Sequence, residues 1–227
     1  MPYSIILASG SPRRRELMDR IGSRYICIPS QKEEDMSGHD PEIMVEMLSA
    51  MKAGDIAEKL IGSSLTPYDI RSDEPAESKQ KQILDLQAPE SASVIIGCDT
   101  VVAFENKILG KPKDKEDAFT MIKSFAGRTH HVHTGVCILV VENRQIVRKL
   151  NYSISTAVKV VDMTDEEILA YIATGEPMDK AGAYAIQGLF CPYVDSIEGD
   201  YYNIVGFPIA SIYRSFKELN IDIRTGM

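Results

Sequence analysis

Paired cysteines are missing. The four that occur, Cys27, Cys98, Cys137 and Cys191, are scattered with no CxxC spacing. That excludes a zinc ribbon and a dithiol redox motif, and leaves buried free thiols in a reducing compartment as the expectation. Long apolar runs are missing as well: the longest, Val136 to Val141, falls far short of the ~18 residues that a membrane-spanning helix needs. The apolar stretch ahead of Arg13 is too short for a secretory signal, so no membrane is expected as partner and the cytoplasm is the expected location. Cationic excess is absent too, since 25 Lys and Arg stand against 33 Asp and Glu for a formal net charge of −8. No broad phosphate-tracking surface for nucleic acid is compatible with that balance, whereas a local basic pocket for a small anion is. No internal repeat of fixed period is present, which excludes a solenoid.

What remains is ordinary globular material. A chain of 227 residues with 44% hydrophobic and 26% charged residues is expected to form one large soluble domain. Tyr3 to Ala8 reads as a short strand, Ser9-Gly10-Ser11 as a tight turn, and Pro12 as the first position of a helix that Ser11 can cap. Ile43, Met44, Met47, Leu48 and Met51 recur at helical spacing after Pro41, predicting a helix to about Leu60. Residues 62–93 change character to Ser, Pro, Gln and charge, and read as a mobile loop or insertion. Val94 to Phe104 is almost wholly apolar and β-branched, the pattern of a strand covered on both faces. Asp114 can cap a helix carrying Ala118, Phe119, Ile122 and Phe125, and Thr164 with Glu167 forms a capping box ahead of Ile168, Leu169 and Ile172. Strands are expected over 131–141 and 151–161, and a last amphipathic helix over Pro208 to Leu219. Helices and strands interleave throughout, which makes this an α/β protein.

Several residues break local rules. Arg13, Arg14 and Arg15 sit at the positive end of the first helix dipole, where each costs a few tenths of a kcal/mol. Either they are solvated, or an anion bound between the Ser9–Ser11 turn and the helix offsets them. Asp99 interrupts an apolar strand and is either a structurally paired carboxylate or part of a site. Gly97 beside it permits close backbone approach and favours the site. Lys111 and Lys180 lie in Gly-rich loops and could hold phosphate oxygens or simply be solvated. The Thr174 to Gly188 loop has no clear period, as binding loops often do not. His130, His131 and His133 lack a spaced partner for zinc, so a strand surface or a structural hydrogen bond is the better reading. Glu33-Glu34-Asp35 reads as a solvated acidic turn, although a divalent ion bridging phosphates would want one or two such carboxylates.

The segments Leu7–Arg14 (LASGSPRR), Gly97–Val102 (GCDTVV), Ile108–Pro112 (ILGKP), Gly127–Val136, Gly175–Gly188 (GEPMDKAGAYAIQG), Glu198–Asn203 (EGDYYN) and Val205–Pro208 (VGFP) together resemble the Maf family of nucleoside triphosphate pyrophosphatases. The likeness covers essentially the whole chain, 1–227, outside the polar insertion at about 62–93. It implies a single α/β domain with an elongated mixed β-sheet flanked by helices and two lobes around a cleft, a relative of the inosine triphosphatases in fold, usually as a homodimer. The family's proton acceptor falls on Asp99, its phosphate-binding residues on Ser9, Arg13, Arg14, Lys52 and Lys111, and an acidic position near the metal on Glu33. Thr100 after the catalytic Asp, and Gln187 in the Ile-Gln-Gly motif, are similar to the dTTP/UTP branch, which places specificity contacts at Arg13, Thr100 and Gln187. Cys98 stands where many relatives carry Ala, Ala185 where Gly is common, and the stretch between Lys52 and Asp99 is longer than bacterial relatives usually have.

The chemistry so implied is attack of water on the α-phosphorus, with Asp99 accepting its proton or holding a metal. Pyrophosphate leaves against Arg13, Arg14, Lys111 and a divalent cation, Mg²⁺ or Mn²⁺. The expected role is to clear dTTP, UTP and modified pyrimidine triphosphates from the nucleotide pool. Two rival readings differ in class: a non-catalytic nucleotide-sensing regulator of cell division, and a pyrophosphatase for modified purine or 7-methyl-GTP substrates.

Overall fold

The computed structural model describes residues 2–34 and 40–226. In chain order its elements are β1 (Ser4–Leu7), α1 (Pro12–Arg20), β2 (Tyr25–Cys27), α2 (Pro41–Ile61), α3 (Ala76–Leu86), β3 (Ala92–Phe104), β4 (Lys107–Leu109), α4 (Lys115–Phe125), β5 (Thr129–Glu142), β6 (Gln145–Val160), α5 (Asp165–Ala173), β7 (Val194–Glu198), α6 (Tyr201–Val205) and α7 (Ile209–Leu219). Long β-branched runs make β3, β5 and β6 the spine of one mixed sheet, ordered β2-β1-β3-β5-β6-β7 with β4 on the far part of β3. β1 pairs parallel with β2 and β3, and the remaining pairs are antiparallel. The side-chain period of two sends Ile5, Leu7, Ile96 and Ile138 to one face, under α1 and α7. Ile6, Ile95 and Leu139 go to the other, under α2. Farther along the same strands Val102, Val132 and Val158 build a separate core with α4, α5 and Phe190. The spine therefore carries two packed halves, and Asp99 lies on β3 where they meet.

Local signals set most element ends. Asp114 accepts from the Asp117 N–H (2.9 Å), and Thr164 and Glu167 form a reciprocal capping box. Ser11 occupies the N-cap of α1, yet its hydroxyl makes no cap bond; its own N–H donates to Ser9 Oγ (3.3 Å). β6 starts earlier than the sequence predicts, because the Asn143-Arg144 turn, with φ of 49° and 60°, closes a tight hairpin onto β5.

The reading of residues 62–93 as a loop is corrected. The segment contains α3, and Leu65, Ile70, Ile83 and Leu86 are buried beneath α2 beside Ala57 and Leu60. Few apolar residues among many polar ones hide a helix whose buried stripe is only Ile83 and Leu86 wide. Backbone bonding fixes the segment as well, since the Arg71 N–H donates to Cys27 O (2.8 Å) at the end of β2. No helix among the described residues is long and apolar enough to cross a membrane.

His130 is fully buried on β5, with Nε2 2.8 Å from the Tyr184 hydroxyl. Burial, with a smaller contribution from His131, depresses its pKa from 6.5 to about 3. Between those values the unfolded chain binds a proton that the folded chain does not, so stability falls as pH drops through this window, by about 1.4 kcal/mol per pH unit. Burial lowers His133 in the same sense, opposed by Glu42. Urea midpoints measured at pH 7, 6 and 5 are expected to fall progressively, and to fall less in His130→Gln. Equal slopes in the two proteins would count against this origin.

Candidate active site

The site begins where β1 ends. Chain leaving the sheet at Ala8 turns through Ser9-Gly10-Ser11 and enters α1 at Pro12, so Arg13 and Arg14 follow one another on the first helical turn. Consecutive residues on a helix diverge by about 100°, and the two guanidinium groups have different fates. Arg14 is buried: its Nε donates to Gly206 O (2.8 Å), Nη1 to Ser9 Oγ (2.9 Å) and Cys98 O (2.8 Å), and Nη2 to Thr100 Oγ1 (3.1 Å). Its donor fork thus ties the turn to β3 and to the corner after α6. Most of its donors are committed to the chain, while the guanidinium still lines the cleft beside Arg13. Arg13 makes no ion pair among the described residues and faces the cleft; burial and the like charge of Arg14 lower its pKa, with Asp179 acting the other way.

Across the cleft, α2 lies directly on the sheet. It can do so because Gly97 and Gly135 present no side chain: a Cβ on Gly97 would stand 2.3 Å from Ser49 O, and one on Gly135 2.0 Å from Val45 O. The close approach that Gly97 permits is thus that of a helix. It lays Lys52 over β3, where the ammonium lies 2.5 Å from Asp99 Oδ1 and 2.7 Å from Glu34 Oε1. Asp99 is buried, and on the strand it sits opposite Gly135. Cys98 beside it is no nucleophile, since burial pushes its thiol up to about 12.

The acidic partner of Lys52 on the 29–34 segment is Glu34, which lines the cleft; Glu33 does not line it, and both are exposed. Asp35 lies outside the described residues. Among the described residues no three His, Cys, Asp or Glu side chains converge as a metal cage. Asp99 and Glu34 nonetheless meet at one cation, the Lys52 ammonium. Two oxygen donors of that kind suit a hard divalent ion that takes the rest of its shell from phosphate and water.

The opposite wall comes from the 109–111 and 175–188 loops, joined where the Gly182 N–H donates to Gly110 O (3.0 Å). They bring Lys111, the Asp179–Lys180 ion pair, Tyr184 and Gln187 to a cleft of about 820 Å³, within the range of small-molecule sites. Lys111 has no ion-pair partner among the described residues, and Gln187 is exposed. Thr100 reaches the cleft, but its hydroxyl accepts from Arg14 and lies 2.9 Å from Thr134 Oγ1, which in turn donates to Asn203 O (2.9 Å). Of the residues singled out in the sequence, Arg13, Arg14, Lys52, Asp99, Thr100, Lys111, Lys180 and Gln187 line the cleft; Ser9 stands behind it as a partner of Arg14, and His130, His131 and His133 lie elsewhere. In the sequence Glu34 reads only as part of a solvated acidic turn, and Asp179 and Tyr184 only as members of the 174–188 loop, because each owes its individual place to loop conformation.

A family model described as Maf-like protein matches residues 4–219. A protein of Agathobacter rectalis named dTTP/UTP pyrophosphatase is 40% identical over 96% of this chain and 98% of its own length. Proteins of the same name from Lachnoclostridium phytofermentans and Clostridium novyi are 41% and 38% identical, over 97% and 96% of this chain and 98% and 99% of theirs. Similarity of this extent leaves no part of the cleft outside the comparison, and this chain belongs to the Maf family.

Proposed function

We propose that this protein hydrolyses nucleoside triphosphates, with dTTP and UTP as preferred substrates, to the monophosphate and pyrophosphate. The observation that carries the reading is a buried carboxylate, Asp99, clamped by Lys52 at the floor of a cleft whose walls hold two cations, Arg13 and Lys111, free of ion pairs among the described residues. With Oδ1 in the ion pair, Oδ2 is left to accept a proton from water attacking the α-phosphorus. The α-phosphorus bond to the bridging oxygen breaks, and the charge that develops on pyrophosphate is met by Arg13 and Lys111. Arg14 contributes by holding the Ser9–Ser11 turn and β3 in register. A divalent cation, Mg²⁺ or Mn²⁺, would be held by Asp99 and Glu34 and would neutralise phosphate charge. Gln187 faces the nucleotide base, and the names of the curated relatives support a pyrimidine there.

A nucleotide panel tests this reading, with products identified as pyrophosphate or orthophosphate in Mg²⁺ and in Mn²⁺. Pyrophosphate from dTTP and UTP, at rates well above those from GTP and 7-methyl-GTP, is expected. Orthophosphate as the product, or a purine preference, would overturn it. Light scattering on the same preparation reads whether the 25.2 kDa chain travels as the homodimer that the family resemblance implies.

A further inference from the structure

Gln187 sits in a tight turn, closed where the Gly188 N–H donates to Ala185 O (3.0 Å). Both flanks of that turn are gripped by one connected pair of side chains from the end of α5. The Tyr171 hydroxyl accepts from the Ala185 N–H (3.2 Å) and donates to Glu176 Oε1 (2.8 Å), and Glu176 Oε2 accepts from the Leu189 N–H (3.1 Å). Tyr171 is 3% exposed and packs on Phe190. Glu176 reaches under the turn only because residue 188 lacks a side chain: a Cβ there would stand 2.1 Å from Oε2.

We propose that Tyr171 and Glu176 are positioning residues that set the base selectivity of the cleft by holding the Ala185–Gly188 turn, and with it Gln187, in one orientation. This rests on the reading above that Gln187 faces the base. The need for such a brace follows from the chemistry of the amide. A carboxamide carries one acceptor and one donor group, and by turning over it can serve uracil, with its N3–H donor and O4 acceptor, or cytosine, with the reverse pattern. An exposed glutamine on a loose turn therefore discriminates weakly. A turn fixed at both flanks presents its own backbone groups and the root of the Gln187 side chain in one place, and leaves the wrong base with unpaired polar atoms. Tyr171→Phe keeps the packing and removes two bonds. Glu176→Gln keeps an acceptor for Tyr171 and can set an N–H₂ against the Leu189 N–H. Gly188→Ala, at a backbone conformation open to alanine, displaces only the end of the Glu176 side chain.

The test measures dissociation constants for UTP and CTP, with KM and kcat alongside, in the wild type, these three variants, Gln187→Ala and the Tyr171→Phe/Gln187→Ala double variant. The UTP-to-CTP affinity ratio is expected to narrow about tenfold in each brace variant, the equivalent of one good hydrogen bond. KM for UTP should rise more than kcat falls, and the double variant should be no less selective than Gln187→Ala alone. Ratios unchanged from the wild type in all three brace variants, with Gln187→Ala narrowed, would overturn the brace. So would multiplicative effects in the double variant. An unchanged ratio in Gln187→Ala would overturn the base assignment and the brace together. A wild type that binds UTP selectively but releases no pyrophosphate would overturn the hydrolytic reading alone.

Discussion

Asp99→Asn is expected to lower kcat for dTTP and UTP by about 10² to 10⁴-fold, the usual contribution of a positioned general base, while changing KM by much less. The substitution is nearly isosteric; it removes the carboxylate charge, and with it the ability to take a proton and one of the two oxygen donors proposed for the divalent cation. Lys52 keeps its second acidic partner, Glu34, at 2.7 Å, so the ammonium is not left without a counter-charge and the clamp over β3 survives. Cys98, Arg14 and the strand pairing around residue 99 do not depend on the carboxylate, since Arg14 bonds the Cys98 carbonyl and Asp99 sits opposite Gly135 through the backbone ladder. Binding measured by titration should therefore persist while turnover collapses. Pyrophosphate release at the wild-type rate would show that Asp99 is a structural carboxylate and that the base lies elsewhere. Tight nucleotide binding by a wild type that turns nothing over would favour the sensing reading.

Gly135→Ala and Gly97→Ala are expected to be as damaging by another route. A methyl on Gly135 would lie 2.0 Å from Val45 O and 2.3 Å from Val45 C; on Gly97 it would lie 2.3 Å from Ser49 O and 2.8 Å from Ala53 N. These are backbone atoms of α2, which cannot rotate out of the way as a side chain can. The helix must lift from the sheet, opening the core that Ala53, Ile56 and Ala57 share with Ile95 and Leu139. Overpacking of this kind costs about 3 kcal/mol or more, which for a domain of this size lowers the melting midpoint by roughly 10 °C. Lys52 lies on α2 between Ser49 and Ala53, so the same displacement carries the ammonium away from Asp99. Molecules that remain folded should have lost activity too. Gly54→Ala supplies the control: it is on the same helix with no atom within 4 Å of the added methyl, and it should stabilise by up to about 1 kcal/mol through helix propensity. Melting of either variant at the wild-type midpoint with full activity would refute this packing argument.

Local chemistry made much of the fold legible in advance. β3 is readable because an unbroken β-branched run has few uses other than a strand covered on both faces, and the Asp114 and Thr164 caps are readable because their partners are three residues away. Pro12 after Ser9-Gly10-Ser11 announces a strand-turn-helix for the same reason. In the site, Asp99 stood out as a charge inside an apolar strand, Lys111 and Gln187 through the motif likeness. The sequence ran out wherever a partner distant in the chain decided the outcome. Nothing in the string Arg13-Arg14 says that one guanidinium enters the interior to meet residues 98, 100 and 206 while its neighbour faces the cleft. Glu33 and Glu34 differ only in which side of an irregular segment each occupies, and no period marks that choice. α3 is held by two apolar side chains that matter only because α2 lies above them. Short-range hydrogen bonding and side-chain periodicity are properties of adjacent residues and can be read along the chain. The closeness of Lys52 to Asp99, allowed by two glycines on different strands, and the grip of Tyr171 and Glu176 on the Gln187 turn exist only once the sheet and its helices have packed.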